Sequence, residues 1–175
     1  MNLLHDLSLG NPPDELNAII EIPRGTANKY EIDLDTGLVT LDRVLHSSQV
    51  YPADYGLLPQ THWHDGDPVD VLVLSTHAFV PGSVIPVRPI SVLRMIDDGD
   101  KDEKLICVPL KDPRFDHYND LGDISEHLQK EITNFFETYK LLQNKKVTVE
   151  GFENREAARQ VVAEAISLYQ DKYKK

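Results

Sequence analysis

Short runs in which apolar and polar residues alternate fill the first two thirds of the chain, and this period of two predicts β-strands. The clearest case is a hairpin, in which residues 29–34 and 38–44 flank the turn Asp35-Thr36-Gly37. The other runs predict strands over residues 16–22, 69–74, 84–95, 105–108 and 146–152. Pro86 and Pro89 interrupt one of them, so we expect that strand to be bent or bulged.

In the last third, the apolar residues change to a helical period. Asp123 as the N-cap, with Glu126 in the capping-box position, predicts a helix that runs to about Leu142. Asn154 is expected to cap a second helix, whose lysine-rich end suits a helix C-terminus. Strands followed mainly by helices predict an α+β fold built on a small, partly closed barrel, with two main helices in the C-terminal part.

Length and composition indicate one domain that spans residues 1–175 and has a sizeable core. The net charge of −11 argues against a surface that binds nucleic acid or an anionic membrane. No stretch approaches the roughly 20 apolar residues of a membrane span, and the N-terminus lacks the features of a signal peptide. The single cysteine, Cys107, excludes an internal disulfide and has apolar flanks, so we expect a core position and a cytoplasmic protein.

The segment Asp65-Gly66-Asp67-Pro68-Val69-Asp70-Val71 places three carboxylates within six residues, directly before a buried strand. Asp65 and Asp67 point to the same side of an extended chain, with Cα atoms about 7 Å apart. Pro68 breaks the strand ladder, which allows the chain to bring Asp70 back to that side. One interpretation is a solvated acidic turn. Carboxylates about 5 Å apart repel by about 3 kcal/mol per pair at an effective dielectric constant of 20, so the cluster needs water, basic partners or a cation.

A second acidic cluster repeats this layout, since residues 97–103 contain five acids in seven residues and precede the apolar residues 105–108. The alternative for this cluster is an exposed charged hairpin. Neither acidic segment has the spacing of a calcium-binding EF-hand loop. Lys29, Glu31 and Arg43 also have two interpretations, because they suit either a binding site or a solvated hairpin face with cross-strand ion pairs.

The segment from Asp65 to Val71 resembles the signature of the soluble family I inorganic pyrophosphatases. Further segments extend this resemblance, in the same order, over nearly the whole chain. These segments are Glu21-Ile22-Pro23, Asn28-Lys29-Tyr30-Glu31, Leu41-Asp42-Arg43, Tyr51-Pro52, Asp54-Tyr55-Gly56, Gly82-Ser83-Val84-Ile85, Asp97 with Asp102 and Lys104, Phe135-Phe136-Glu137, Tyr139-Lys140 and Val149-Glu150-Gly151-Phe152. The length is similar to that of the compact bacterial and archaeal members.

This resemblance implies a five-stranded barrel of OB-like shape with flanking helices. It implies Mg²⁺-dependent hydrolysis of pyrophosphate to two phosphates, with several Mg²⁺ ions in each active site. It also implies a protein that commonly assembles as a homohexamer.

By the same resemblance, one residue is a general base and a group of carboxylates binds metal. Asp67 is the base beside the attacking water. The carboxylates expected to bind the two metal ions that activate this water are Asp65, Asp70 and Asp102. Asp102, together with Asp97, is expected to hold metal that arrives with the substrate. The carboxylates expected to act on metal directly or through bound waters are Glu21 and Glu31.

A group of basic and phenolic side chains is expected to bind the phosphates. Its members are Lys29, Arg43, Tyr55, Tyr139 and Lys140, with Lys104 and Tyr51 in supporting roles. At position 98 this chain has Asp where some bacterial relatives carry Glu. The resemblance therefore leaves the contacts of Asp98 open, although the expected reaction does not depend on them.

Two other functions remain open on the residues alone. A calcium-binding structural module would use the same acids without turnover, and an OB-type oligonucleotide-binding domain would share the barrel. The first has no need of the basic residues that accompany the acids, and the second needs a basic groove, which the acidic balance of the chain opposes. Release of phosphate from pyrophosphate distinguishes the three functions.

Overall fold

The computed structural model describes residues 2–33 and 35–174, and in these residues the chain forms ten β-strands and two α-helices. In chain order, the strands are β1 (Gly10–Asn11), β2 (Glu15–Ile22), β3 (Asn28–Ile32), β4 (Val39–Val44), β5 (Asp54–Leu57), β6 (Asp70–Val73), β7 (Val84–Asp97), β8 (Asp100–Lys101), β9 (Lys104–Pro109) and β10 (Val147–Glu153). The helices are α1 (Glu126–Thr138) and α2 (Arg155–Tyr173). Leu34, which the sequence pattern assigns to the first strand of the hairpin, lies outside the described residues.

Five of these strands close into a ring with the order β2, β5, β6, β9, β7, because β7 also pairs with β2. Neighbours in the ring are antiparallel, except for the parallel pair β6 and β9. Closure depends on the 14-residue β7, which is long enough to pair with β2 at its start and with β9 further along. Its register shifts between Pro89 and Ser91, as the prolines predict. The mixed sheet and the two C-terminal helices confirm the predicted α+β class.

The two faces of strand β6 pack in apolar clusters that contain different helices. In β6, Val71 and Val73 belong to the apolar cluster that includes residues of α2, whereas Leu72 belongs to the cluster that includes residues of α1. This alternation follows from the period of two in a strand. Cys107 is fully buried in the cluster beside α2, which confirms its predicted core position.

The start of α1 differs from the prediction. Ser125, and not Asp123, is the N-cap, because the Ser125 side chain accepts the Leu128 N–H. Asp123 instead ends a preceding 3₁₀ turn and forms a capping box with Asp120. The start of α2 agrees with the prediction, since the Asn154 side chain accepts the N–H of Ala157.

Strands β3 and β4 form a separate two-stranded sheet beside the ring. The Ile32 N–H at the end of β3 donates to the carboxylate of Glu21 in β2 over 2.8 Å, which fastens the hairpin to the ring. Lys29 and Arg43 are register partners in this hairpin and therefore lie side by side. None of the helices in the described part of the chain is long and apolar enough to cross a membrane.

Candidate active site

The two acidic segments and the basic hairpin meet in one cleft with a cavity volume of about 270 Å³. The residues along its wall are Lys29, Arg43, Tyr55, Asp65, Asp67, Asp70, Asp97, Asp98, Asp100, Asp102, Lys104, Tyr139 and Lys140. An adjoining cavity of about 200 Å³ shares four of these residues and adds Glu21 and Glu31. Nearly all of the residues singled out from the sequence are thus brought together, although they come from strands β2 to β9, from the loops between them and from the segment after α1.

The parallel pairing of β6 and β9 organises the centre of the cleft. It sets Asp70 opposite Lys104 in the register. The Lys104 ammonium group is 2.5 Å from Asp70 Oδ2 and also pairs with Asp102. Asp70 Oδ2 accepts a further hydrogen bond from the Tyr55 hydroxyl. One buried ammonium group is therefore shared between Asp70 at the start of β6 and Asp102 in the loop between β8 and β9.

The cleft contains more carboxyl groups than the ammonium group of Lys104 can neutralise. The pKa of Asp65 is raised to about 7, mainly by burial and also by the nearby charges of Asp102 and Asp70, while the hydrogen bond from the Asp67 N–H opposes the rise. Burial also raises the pKa of Asp70, although Lys104 lowers it. Burial by itself lowers the pKa of Lys104, but Asp70 and Asp102 outweigh this and hold it above its usual range. Additional positive charge in the cleft would stabilise the ionised carboxylates.

The second acidic segment divides between the cleft and the solvent. Asp97 pairs with Lys140, but its buried Oδ1 atom has no hydrogen-bond partner. Asp98 is exposed and pairs with Lys145 over 2.9 Å. Asp100 and Lys101 are exposed in the short strand β8. The segment therefore forms a charged hairpin, as the alternative interpretation expects, and its two ends also contribute Asp97 and Asp102 to the cleft.

The charged β3–β4 hairpin carries the ion pairs of a solvated hairpin face and also lies on the cleft, so its role in binding stays a prediction. Lys29 Nζ and Arg43 Nη1 lie 3.1 Å and 2.5 Å from the same oxygen of Asp42, and Lys29 also pairs with Glu31. These ion pairs lie along the wall of the cleft. The buried Arg43 Nε atom has no partner. The basic groups are therefore held in place by acids and keep part of their hydrogen-bonding capacity free.

Aromatic packing fixes the tyrosines at the inner end of the cleft. The ring of Tyr139 stacks on Phe135 at 5.1 Å, and Lys140 Nζ lies 5.3 Å from the centre of the Tyr139 ring. Tyr51 does not line the cleft but is buried, with its ring 5.6 Å from that of Tyr55. Tyr139 thus packs in the apolar cluster beside α1 and also lines the cleft.

The residues of the cleft fit a divalent cation with oxygen ligands. Among residues 2–33 and 35–174, no three His, Cys, Asp or Glu side chains already form a ligand set. Lysines pair with three of the carboxylates, since Lys104 bonds to Asp70 and Asp102 and Lys140 bonds to Asp97. The raised pKa of Asp65 and the unpartnered Asp97 Oδ1 nevertheless mark a surplus of buried acceptors that suits a hard cation.

Asp42 and Asp100 have no role predicted from the sequence. Asp42 orients Lys29 and Arg43, and Asp100 contributes to the wall of the cleft. Asp42 stands beside Arg43 in a strand of alternating pattern, which could have indicated its role. A solvated residue would have the same pattern, so the sequence does not distinguish the two. The contact of Trp63 with Glu103 could not be predicted from the sequence either, because these residues are 40 positions apart.

Glu21 is 7% exposed, and burial raises the pKa of this carboxyl group to about 8, against the hydrogen bond from the Ile32 N–H. We expect Glu21→Gln to stabilise the metal-free protein at high pH. In the wild type, the free energy of unfolding falls as the pH rises from 4.5 to about 8, because the unfolded chain releases this proton first. Gln keeps the oxygen that accepts the Ile32 N–H and carries no proton to release.

Urea denaturation in the presence of a chelator measures this effect. The two proteins should have similar free energies of unfolding near pH 5, and the variant should be more stable at pH 9 by on the order of a few kcal/mol. A difference that does not change with pH would mean that Glu21 is not buried in its neutral form.

A family model, related sequences and a solved structure all match this chain and agree on one family. The family model described as inorganic pyrophosphatase matches residues 18–170. An inorganic pyrophosphatase of Haloferax volcanii is 47% identical over 175 residues, which are 99% of each chain, and one of Picrophilus torridus is 46% identical over 170 residues. A crystal structure of the Thermus thermophilus inorganic pyrophosphatase has a TM-score of 0.93 and 45% identity, and the match covers 97% of this chain and 99% of that one. This chain belongs to the inorganic pyrophosphatase family.

Proposed function

We propose that this protein hydrolyses inorganic pyrophosphate to two orthophosphate ions with the help of Mg²⁺. The observation that carries the proposal is the meeting of two acidic segments and a basic hairpin in one cleft, in a chain of this family. Membership of the family implies a divalent metal cofactor, and carboxylate ligands favour Mg²⁺, which prefers oxygen and keeps several of its waters. We infer that several such ions act in each site.

Charge explains why this protein needs metal. Pyrophosphate carries about three to four negative charges, and a protein with a net charge of −11 repels it. Mg²⁺, when bound, offsets the charge of the phosphates and lowers the pKa of water so that it attacks phosphorus near neutral pH. Lys29, Arg43 and Lys140 add positive charge along the wall of the cleft. Positioning and charge neutralisation are the main requirements of phosphoryl transfer.

Within this function, Asp67 is the proposed general base. It is exposed at the junction of the two adjoining cavities. No lysine or arginine in the described part of the chain forms an ion pair with it, in contrast to Asp70, Asp97 and Asp102. Its carboxylate is therefore free to take the proton from the attacking water.

The other residues of the cleft divide by charge. The proposed metal ligands are Asp65, Asp70, Asp97 and Asp102, with Glu31, and with Glu21 acting directly or through water. The proposed phosphate-binding residues are Lys29, Arg43, Tyr55, Lys104, Tyr139 and Lys140. Tyr51 supports Tyr55 through ring packing, and Asp98 holds Lys145 near the rim.

Assays of phosphate release test the function. Purified protein should release orthophosphate from pyrophosphate with Mg²⁺ and lose this activity with a chelator. A calcium-binding structural module or an oligonucleotide-binding domain would release none. The acidic balance of the chain and the lysine-paired carboxylates give no support to the oligonucleotide-binding function.

The single-domain organisation of residues 1–175, the cytoplasmic location and the homohexamer remain predictions. Sedimentation velocity measures the assembly directly, because a hexamer of a 19.8 kDa chain has a much larger sedimentation coefficient than the monomer.

Arg43→Lys should lower kcat/KM by about tenfold or more, which corresponds to about 1.4 kcal/mol. The planar guanidinium group can bind two phosphate oxygens at once, whereas a lysine ammonium group cannot reproduce this fork. Steady-state kinetics at saturating Mg²⁺ measures the change. Arg114→Lys is the matched control, because Arg114 is exposed and pairs with Asp112 outside the cleft. Normal kinetics of Arg43→Lys would mean that Arg43 serves only the ion pairs of the hairpin.

A further inference from the structure

A buried hydrogen bond connects the two acidic segments behind the cleft. The indole N–H of Trp63 donates to Glu103 Oε2 over 2.5 Å. Trp63 is 3% exposed and Glu103 is 5% exposed. Trp63 precedes Asp65 by two residues, and Glu103 lies between Asp102 and Lys104. The contact therefore joins the chain segments that carry the proposed metal ligands, without lining the cleft itself.

Strand geometry explains why Glu103 faces away from the cleft. Successive side chains in an extended segment point to opposite sides. Asp102 and Lys104 contact each other in the cleft, so Glu103 between them points to the other side. There its Oε1 atom lies 3.4 Å from Arg94, which in turn binds Glu153 over 2.9 Å. Glu103 is thus held in place by a cation on one oxygen and by the indole on the other.

The backbone of Trp63 closes the turn that carries Asp65 and Asp67. Its N–H donates to the Asp67 carbonyl over 2.8 Å, and its carbonyl accepts the Gly66 N–H over 3.1 Å. The indole ring packs in the apolar cluster beside α2. A displacement of the ring would therefore displace the turn and its carboxylates.

The sheet alone does not fix this turn relative to the second acidic segment. The ladder between β6 and β9 begins at Asp70 and Lys104, and Pro68 separates Asp65 and Asp67 from it. We propose that the Trp63–Glu103 hydrogen bond is a positioning contact that sets the separation of Asp65 from Asp102 and thereby the affinity of the cleft for divalent metal. This inference rests on the proposed function only in assuming that the cleft binds metal.

Two variants remove one side of the contact each. Trp63→Phe loses the donor and keeps an aromatic ring, and Glu103→Ala loses the acceptor. Each should raise the Kd for Mg²⁺, measured by calorimetry without substrate, by about tenfold, the lower end of what loss of an outer partner of metal ligands costs. The double variant should bind Mg²⁺ no more weakly than the weaker single variant, because both changes remove the same contact. The value of kcat at saturating Mg²⁺ should stay within about twofold of wild type.

Trp63 is the single tryptophan of the chain, so its fluorescence emission reports on the surroundings of this indole without a contribution from another tryptophan. Glu103→Gln keeps an acceptor oxygen but removes the charge beside the indole N–H. Its emission maximum should differ from that of wild type, and its Kd for Mg²⁺ should lie between those of wild type and Glu103→Ala. Titration of Mg²⁺ into wild type should change the emission with the same Kd that calorimetry gives. This readout also serves if Trp63→Phe fails to fold.

Tyr169→Phe is the control for a general loss of stability. The Tyr169 hydroxyl is 2.7 Å from His5 Nδ1, and the residue is buried but does not line the cleft. This variant should lower the melting temperature without changing the Kd for Mg²⁺. A Kd for Mg²⁺ within twofold of wild type in folded Trp63→Phe or Glu103→Ala would overturn the inference. So would a double variant in which the two losses of Mg²⁺ affinity add, or a Glu103→Gln variant with the same emission maximum as wild type. Absence of turnover in wild type would overturn the proposed function instead, and the calorimetric values would still decide the positioning contact.

Discussion

Asp67→Asn should lower kcat for pyrophosphate hydrolysis by about 10²–10⁴-fold at saturating Mg²⁺, the range that a general base typically contributes. The variant keeps the size of the side chain and one acceptor oxygen, but it cannot take a proton from the attacking water. The Asp67 backbone N–H, which donates to Asp65 Oδ1 over 3.1 Å, is unchanged. We therefore expect the turn and the metal affinity to stay close to those of wild type.

Asp70→Asn is the matched comparison for this prediction. Asp70 accepts hydrogen bonds from both Tyr55 and Lys104 at the centre of the cleft and is a proposed metal ligand. Its loss should weaken Mg²⁺ binding, and additional Mg²⁺ should recover part of the activity. Calorimetric titration of both variants, with turnover at saturating metal, separates the two roles. If Asp67→Asn loses metal affinity as severely as Asp70→Asn, or regains its turnover at high Mg²⁺, Asp67 is a ligand and not the base.

Lys104→Met should destabilise the metal-free protein by about 3–5 kcal/mol, the usual cost of removing one partner from a buried ion pair. Lys104 is 2% exposed and bonds to both Asp70 and Asp102. Without the ammonium group, these carboxylates lose their shared cation and repel each other. Since protonation relieves the repulsion, the loss of stability should become smaller as the pH falls. Mg²⁺ should restore part of the stability by supplying positive charge at the same place.

Lys145→Met is the control for this substitution. Lys145 is exposed and pairs with the exposed Asp98 over 2.9 Å, a contact of the kind that contributes about 0–1 kcal/mol. Urea denaturation with a chelator, at pH 5 and pH 8, gives the free energies of unfolding for wild type and both variants. Equal losses in the two variants would show that Lys104 does not compensate buried charge.

The sequence predicted the elements in which local pattern and tertiary environment agree. Val71, Leu72 and Val73 form a continuous apolar run, and both faces of β6 are buried. The prolines in β7 predicted its irregularity, which appears as the shift between Pro89 and Ser91. The three acids of the first motif were expected on one side of the chain, and all line the same cleft.

Other features depend on contacts that no local pattern encodes. Both Asp123 and Ser125 are good N-cap residues, and only the folded backbone decides that Ser125 bonds to the Leu128 N–H. The sequence of the charged β3–β4 hairpin fits either a solvated face or a functional one. The reason is that the same residues form its ion pairs and line the cleft. The Trp63–Glu103 contact joins residues 40 positions apart, so it depends on the pairing of β6 with β9 and not on spacing in the sequence.

The central claim is that this cleft hydrolyses pyrophosphate with divalent metal. The most direct measurement is ³¹P NMR of pyrophosphate mixed with wild-type protein, with Asp67→Asn, or with wild type plus a chelator, under otherwise identical conditions with Mg²⁺. We expect the pyrophosphate signal to be replaced by two equivalents of orthophosphate with wild type, and to persist over the same period in the other two samples. Persistent pyrophosphate with folded, Mg²⁺-supplied wild type would contradict the account, and so would undiminished conversion by Asp67→Asn.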